Sequence, residues 1–132
     1  GWLAEGVDYV PRAVRTANGK GWTAGSSTYA RFRVGDVLSP AAFKGDYDLI
    51  LDIGCFHSFS GENVNLYIEN ISSHLSSGGS FLLYVHLDES SGTGSGATEA
   101  SLKKLGEKLK LIKRIDGEES SRPSAWLEFK KR

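Results

Sequence analysis

The sequence predicts an α/β domain built on a doubly wound, mostly parallel sheet that closes with a C-terminal antiparallel hairpin. Three observations lead there. Short apolar runs alternate with segments of helical period along most of the 132 residues, the arrangement that generates βαβ units. Two of the early runs finish on an acid, at Asp8 and Asp36, and ligands of open α/β sheets gather at the carboxyl ends of strands. The chain ends in two strand-like runs separated by a short polar stretch, which suits a hairpin.

Taken in order, Leu3-Ala4-Glu5-Gly6-Val7 runs into Asp8-Tyr9 and reads as a strand. Pro11 fits the first position of a helix, with Ala13, Val14 and Ala17 as its apolar stripe and Asn18-Gly19 as its expected stop. Residues 19–28, GKGWTAGSST, have turn chemistry and no helical period, so a loop is expected there, with Trp22 inside it. Tyr29 to Val34 alternates, placing Ala30, Phe32 and Val34 on one side and Arg31 and Arg33 on the other, and stops at Gly35-Asp36. After a turn at Pro40-Ala41-Ala42-Phe43, Tyr47 to Ile53 (YDLILDI) is a nearly continuous apolar run, as in a parallel strand covered on both faces.

Glu62 to Leu75 places Val64, Ile68, Ile71 and Leu75 at helical spacing, and Ser76-Ser77-Gly78-Gly79 is expected to end that helix. Ser80 to Leu87 (SFLLYVHL) reads as a further buried strand, followed by the flexible loop SSGTGSG. A helix is expected from about Thr98 to Leu109, with Leu102, Leu105 and Leu109 inward. Lys110 to Ile115 and Ser124 to Lys130 then form the hairpin, with Asp116 to Arg122 as its turn.

A strand that ends in a ribose-binding acid is normally the second of its fold. No first strand and no glycine-rich loop stand before Leu3, so residues 1–132 are expected to form a partial domain that starts in the middle of its fold. Methionine is absent, at position 1 as elsewhere, which points to a processed or incompletely represented polypeptide. Hydrophobic residues at 39% and charged residues at 24% are ordinary for a soluble globular protein, and a cytoplasmic location is expected. No apolar run approaches the roughly 20 residues needed to span a bilayer, and no signal peptide is visible. Lys+Arg 16 against Asp+Glu 16 gives a formal net charge of +0, which removes the electrostatic argument for a nucleic acid or an anionic membrane as partner. The single cysteine, Cys55, excludes an intrachain disulfide and a multi-cysteine zinc site. It reads as a small buried hydrophobe, and no metal site is expected.

The pieces GVDYVPRAV, RFRVGDVLSP, YDLILDIGCFHSF, the helix leading into SSGGSFLLYVHL, and the tail RPSAWLEF together resemble the class I S-adenosylmethionine-dependent methyltransferases of the small-molecule type. The resemblance implies a Rossmann-like sheet of seven strands, of which this chain supplies strands two to seven. The family's first strand, its glycine-rich loop and its first helix have no counterpart here. Since that strand lies between the second and fourth, a missing N-terminal segment or a neighbouring chain is expected to complete the sheet.

By the same resemblance the cofactor is S-adenosyl-L-methionine and the partner a small-molecule acceptor. Asp8 would accept from the ribose hydroxyls, with Tyr9 along the adenine or ribose. Asp36 would accept from the adenine amino group while the Val37 N–H donates to a ring nitrogen. Asp52, Ile53 and Gly54 would pass the methionine portion, and Cys55, Phe56 and His57 would line the route to the methyl group. Phe56 would offer its ring to the cationic sulfur. If the acceptor must lose a proton, His57 is the best-placed catalytic base.

LDIGC at Leu51 to Cys55 also looks like the opening of a glycine-rich motif, but Phe56-His57-Ser58 stands where further small residues are needed. Other readings stay open beside the first. Asp8 and Asp36 are also the residues of ordinary turn caps, and Asp52 of a capped loop or a polar network. His57 suits a structural role as well, His74 and His86 are weaker site candidates, and Trp2, Trp22 and Trp126 suit packing. A non-catalytic methyltransferase-like domain that binds a nucleotide or a protein is the alternative function. A dinucleotide-dependent oxidoreductase is disfavoured by the acid after the GDV strand and by the closing hairpin.

Overall fold

The computed structural model describes residues 1–90 and 94–132. Its elements run β1 (Ala4–Asp8), α1 (Pro11–Thr23), β2 (Ala30–Val34), β3 (Tyr47–Ile53), α2 (Glu62–His74), β4 (Leu75–His86), α3 (Glu99–Lys108), β5 (Leu109–Glu119) and β6 (Arg122–Lys131). Short 3-10 turns lie at Pro40–Ala42 and Phe56–Ser58. The chain divides into two compact units, Gly1–Lys44 and Gly45–Arg132.

In the first unit β1 and β2 pair in parallel, from Ala4 opposite Ala30 to Asp8 opposite Val34, with α1 as the crossover. A β-carbon on Gly6 would stand 2.2 Å from Cδ1 of Phe32 across the pair, so any larger residue there would displace that ring. Contrary to the expectation, α1 does not stop at Asn18-Gly19. The Asn18 side chain donates to the Phe32 carbonyl at 2.9 Å and accepts from the Phe32 N–H at 3.1 Å. The residue expected to break the helix instead ties it to β2, and the helix runs on to Thr23. Trp22 therefore lies on the last helical turn and not in a loop, and it is 78% exposed. Trp2 is exposed as well, so neither is packed into a core by the described residues.

The second unit holds a four-stranded sheet in the order β3-β4-β6-β5. β3 and β4 are parallel, and β6 runs antiparallel between β4 and β5. Its core is the face formed by Phe81, Leu83 and Val85 of β4 and Ala125, Leu127 and Phe129 of β6, buried together with Val64, Ile68 and Ile71 of α2 and Leu102 and Leu105 of α3. The apolar stripes expected on the two helices are the buried ones. Thr98 caps α3, its side chain accepting from the Ser101 N–H at 3.1 Å, which satisfies one of the first-turn donors.

Three expectations about this unit are corrected. Ser76 to Gly79 does not separate a helix from a strand: β4 starts at Leu75 and absorbs those residues as an irregularity opposite Tyr47 to Leu49. Gly78 has φ +74, and a β-carbon on Gly79 would come within 3.0 Å of the Tyr47 carbonyl oxygen. The hairpin strands run through Asp116 to Arg122 to a two-residue turn at Ser120-Ser121, with φ of 50 and 64. Two successive positive φ values match the twist of paired strands, which a longer turn would not require.

β3, finally, is covered on one face only. Asp52 is buried, whereas Leu49, Leu51 and Ile53 on the other side are exposed, Leu51 by 55% and Ile53 by 64%. The register continues this row through Leu82 and Tyr84 of β4 to Trp126 of β6. Among the described residues β1 pairs only with β2, and β3 only with β4. The loop expected over SSGTGSG falls in part on residues 91–93, outside the described residues. Among the described residues no helix is long and apolar enough to cross a membrane.

Candidate functional site

In the first unit the parallel pairing of β1 and β2 carries both acids to one edge. Asp8 is the last residue of β1, opposite Val34, and its carbonyl accepts from the Gly35 N–H at 3.0 Å. Asp36 follows directly. Each carboxylate uses one oxygen to fix its own turn: Asp8 Oδ1 accepts from the Val10 N–H at 2.8 Å and Asp36 Oδ1 from the Leu38 N–H at 2.9 Å. These are Asx turns, the capping role that sequence reasoning left open. The second oxygen of each has no protein partner among the described residues, and both side chains are exposed. Tyr9 lies beside Asp8 with its ring exposed, and Val37 is half-buried next to Asp36. Arg33 binds Glu5 at 3.5 Å and donates to the Ala42 carbonyl, which holds the end of β2 to the turn that follows Asp36.

In the second unit the chain leaves β3 through Gly54, which has φ +93, and enters the turn Phe56–Ser58. The Asp52 carboxylate organises this bend. It accepts from the Cys55 N–H at 2.7 Å, from the Phe56 N–H at 2.9 Å and from the Tyr67 hydroxyl of α2. Burial, and then the charge of Asp52, push the Tyr67 hydroxyl well above its ordinary value, so it stays a proton donor to the carboxylate. The side chain of Asp52 is thereby committed to the loop, and what it leaves for a ligand is the carboxyl edge of β3 at Ile53 and Gly54. Cys55 is exposed, because the bend turns it outward. Phe56 turns inward, is 1% exposed, and packs against Tyr67 with ring centroids 5.4 Å apart and the planes tilted by 46°. The expected places of Cys55 and Phe56 are thus exchanged: Phe56 belongs to the core and does not line a route to a ligand.

His57 lies over Gly54. A β-carbon on that glycine would stand 3.4 Å from the imidazole Cε1 and 3.7 Å from Nε2. Nδ1 of His57 accepts from the backbone N–H of His86, the last residue of β4, at 3.0 Å, and the two imidazole rings are 5.1 Å apart. His86 turns its Nε2 toward Glu119 Oε2 at 3.6 Å, and the Tyr84 hydroxyl donates to the same carboxylate. Burial, and then His86, hold the His57 imidazole below its ordinary value. Sequence reasoning rated His86 low and gave Tyr84, Tyr67 and Glu119 no role in the site. His86 and Tyr84 had one available signal, their place at the end of the apolar run SFLLYVHL. Glu119 had none, since hairpin register alone brings it there.

No family model matches this chain. Over 72 residues it is 32% identical to two proteins of Schizosaccharomyces pombe, each named an uncharacterized methyltransferase; the match covers 54% of this chain and 48% of theirs. The chain spans about half the length of these curated relatives. Among solved structures it is similar to the N-methyltransferase NodS of Bradyrhizobium japonicum in complex with S-adenosyl-L-homocysteine, with a TM-score of 0.77, 20% identity, and coverage of 96% of this chain and 65% of that one. TehB of Haemophilus influenzae gives a TM-score of 0.79 at 17% identity, covering 100% of this chain and 51% of that one. The fold is that of the class I S-adenosylmethionine-dependent methyltransferases.

Proposed function

We propose that this chain is part of an S-adenosylmethionine-dependent methyltransferase acting on a small-molecule acceptor, and that its first unit holds the adenosine end of the methyl donor. The observation that carries the reading is the pair Asp8 and Asp36 at the carboxyl edge of one parallel strand pair. Each is fixed by a backbone N–H through one oxygen and open through the other. Carboxylates held this way suit the ribose hydroxyls at Asp8 and an exocyclic amino group at Asp36, with Tyr9 along the nucleoside and the Val37 N–H donating to the ring. When bound, the donor supplies an activated methyl group on a sulfonium, so the protein's work is alignment and exclusion of water.

Taken by itself, the second unit would offer the backbone of Asp52, Ile53 and Gly54 at the end of β3 to the methionine portion of such a donor, with His57 over Gly54. β3 has a parallel edge without a partner among the described residues, and a strand supplied by a further segment or a neighbouring chain would satisfy it.

Calorimetry of the 132-residue chain with S-adenosylhomocysteine and with NAD tests the proposal. Binding of the former alone is expected, weakened about tenfold or more by Asp8→Asn or Asp36→Asn, the loss of one to two hydrogen bonds to a charged acceptor. Binding of NAD instead would favour an oxidoreductase, and binding of neither a non-catalytic domain.

A further inference from the structure

We propose that His57 is a hydrogen-bond donor locked in one tautomer, presenting Nε2–H to a ligand oxygen at the carboxyl edge of β3, with His86 as the residue that positions it. The inference deepens the donor-site reading above and rests on it for the identity of the ligand. Its basis is the direction of one hydrogen bond. A backbone N–H can only donate, so the bond from His86 N to His57 Nδ1 at 3.0 Å occupies the Nδ1 lone pair, and the neutral ring carries its proton on Nε2. That atom has no acceptor among the described residues. It lies beside Gly54, where the backbone leaves the sheet with φ +93.

Burial and the groups around the ring hold its proton affinity down on balance. Asp52 faces it from β3, His86 from β4 and Arg122 from β6, while Glu119 of β5 reaches it only through His86. Burial, then His86, lower its proton affinity, Asp52 raises it, and Arg122 lowers it again. Protonating Nδ1 would also break the bond from His86. A ring in this state does not remove a proton at Nε2, as the base role expected from the sequence requires; it donates one hydrogen bond to an oxygen. Two oxygens have the right chemistry, the carboxylate at the amino-acid end of the methyl donor and an oxygen of the acceptor.

Long-range proton–nitrogen NMR of the ¹⁵N-labelled 132-residue chain tests this. At pH 7 the His57 signals are expected from a neutral ring protonated at Nε2. An Nδ1–H tautomer or an imidazolium at pH 7 would overturn the proposal. His86→Ala keeps the backbone donor, so the tautomer is expected to persist; its loss in that variant would refute the positioning role of the His86 N–H.

Three probes then identify the oxygen. A shift at Nε2 with S-adenosylhomocysteine but not with 5′-methylthioadenosine, which lacks the amino-acid end, assigns it to the donor's carboxylate. A shift with acetate in the absence of any nucleoside assigns it to an acceptor oxygen. No response to any of the three overturns the donor role. The tautomer is measured without ligand, so failure of the methyl-donor reading in calorimetry leaves that result standing.

Discussion

A single carboxylate, Asp52, decides how the chain leaves β3. Three donors converge on it, two backbone N–H groups and the Tyr67 hydroxyl, and the residue is buried. Leaving a buried donor unpaired costs about 1–3 kcal/mol. Asp52→Ala strands all three, and about 3 kcal/mol or more of stability should be lost in denaturant unfolding. Tyr67→Phe removes one bond and leaves the carboxylate two, so its cost should be about 1–2 kcal/mol. Equal losses for the two variants would show that the carboxylate does not organise the bend. The sequence made Asp52 visible as an acid at a strand end, but the destination of its side chain was not legible, because Tyr67 lies fifteen residues away on α2. Asp8 and Asp36 were legible because their partners are two residues away, within reach of local turn chemistry.

Among the elements, those whose boundaries follow from apolar period were readable, and those set by distant contacts were not. β3 begins and ends where the run YDLILDI does, and α2 and α3 bury the stripes their spacing implies. α1 outruns its apparent stop because Asn18 binds Phe32 in β2, and β5 and β6 outrun theirs because their register persists through polar residues to Ser120-Ser121.

The seam between α3 and β5 shows what such contacts contribute. Arg114 of β5 makes a forked pair with Glu99 in the first turn of α3, at 2.7 and 2.9 Å, and bonds Asp116 at 2.7 Å. Hydrogen bonding to Arg114 holds the Glu99 carboxyl below its ordinary value. With the folded value the lower one, the pair's stabilisation is fully present above the unfolded carboxylate range and is lost as pH falls through the folded value. Because Glu99 is mostly solvent-exposed, the contribution should be under about 1 kcal/mol. Glu99→Gln should therefore lower the midpoint slightly at neutral pH and flatten the acid limb of a stability-against-pH curve. An unchanged acid limb would show that the pair is decorative.

For the molecule as a whole, association turns on the side of β3 that pairs with no strand among the described residues. A parallel edge presents unpaired N–H and C=O groups, and exposed edges of apolar strands are sites of association. Here the edge adjoins an exposed apolar row, Leu49, Leu51 and Ile53, that the register extends through Tyr84 to Trp126. β5, the other edge of this sheet, also exposes Leu111, Ile112 and Ile115, but intersperses them with Lys110, Lys113, Glu118 and Glu119, charges of the kind that blunt edge pairing. The difference predicts a direction. The 132-residue chain alone should self-associate as its concentration rises and should bind a hydrophobic dye, and both should originate at β3. Leu51→Lys with Ile53→Lys places two charges on the exposed row without touching Asp52 or the buried face. It should yield a monomer in sedimentation velocity, with unchanged far-ultraviolet circular dichroism and little dye binding. Reversing the charges of Lys110 and Lys113 by substitution to glutamate should leave association as it was. A parent chain that stays monomeric at every concentration without binding dye would show that its β3 edge is already satisfied, and with that the need for a strand from outside these residues would disappear.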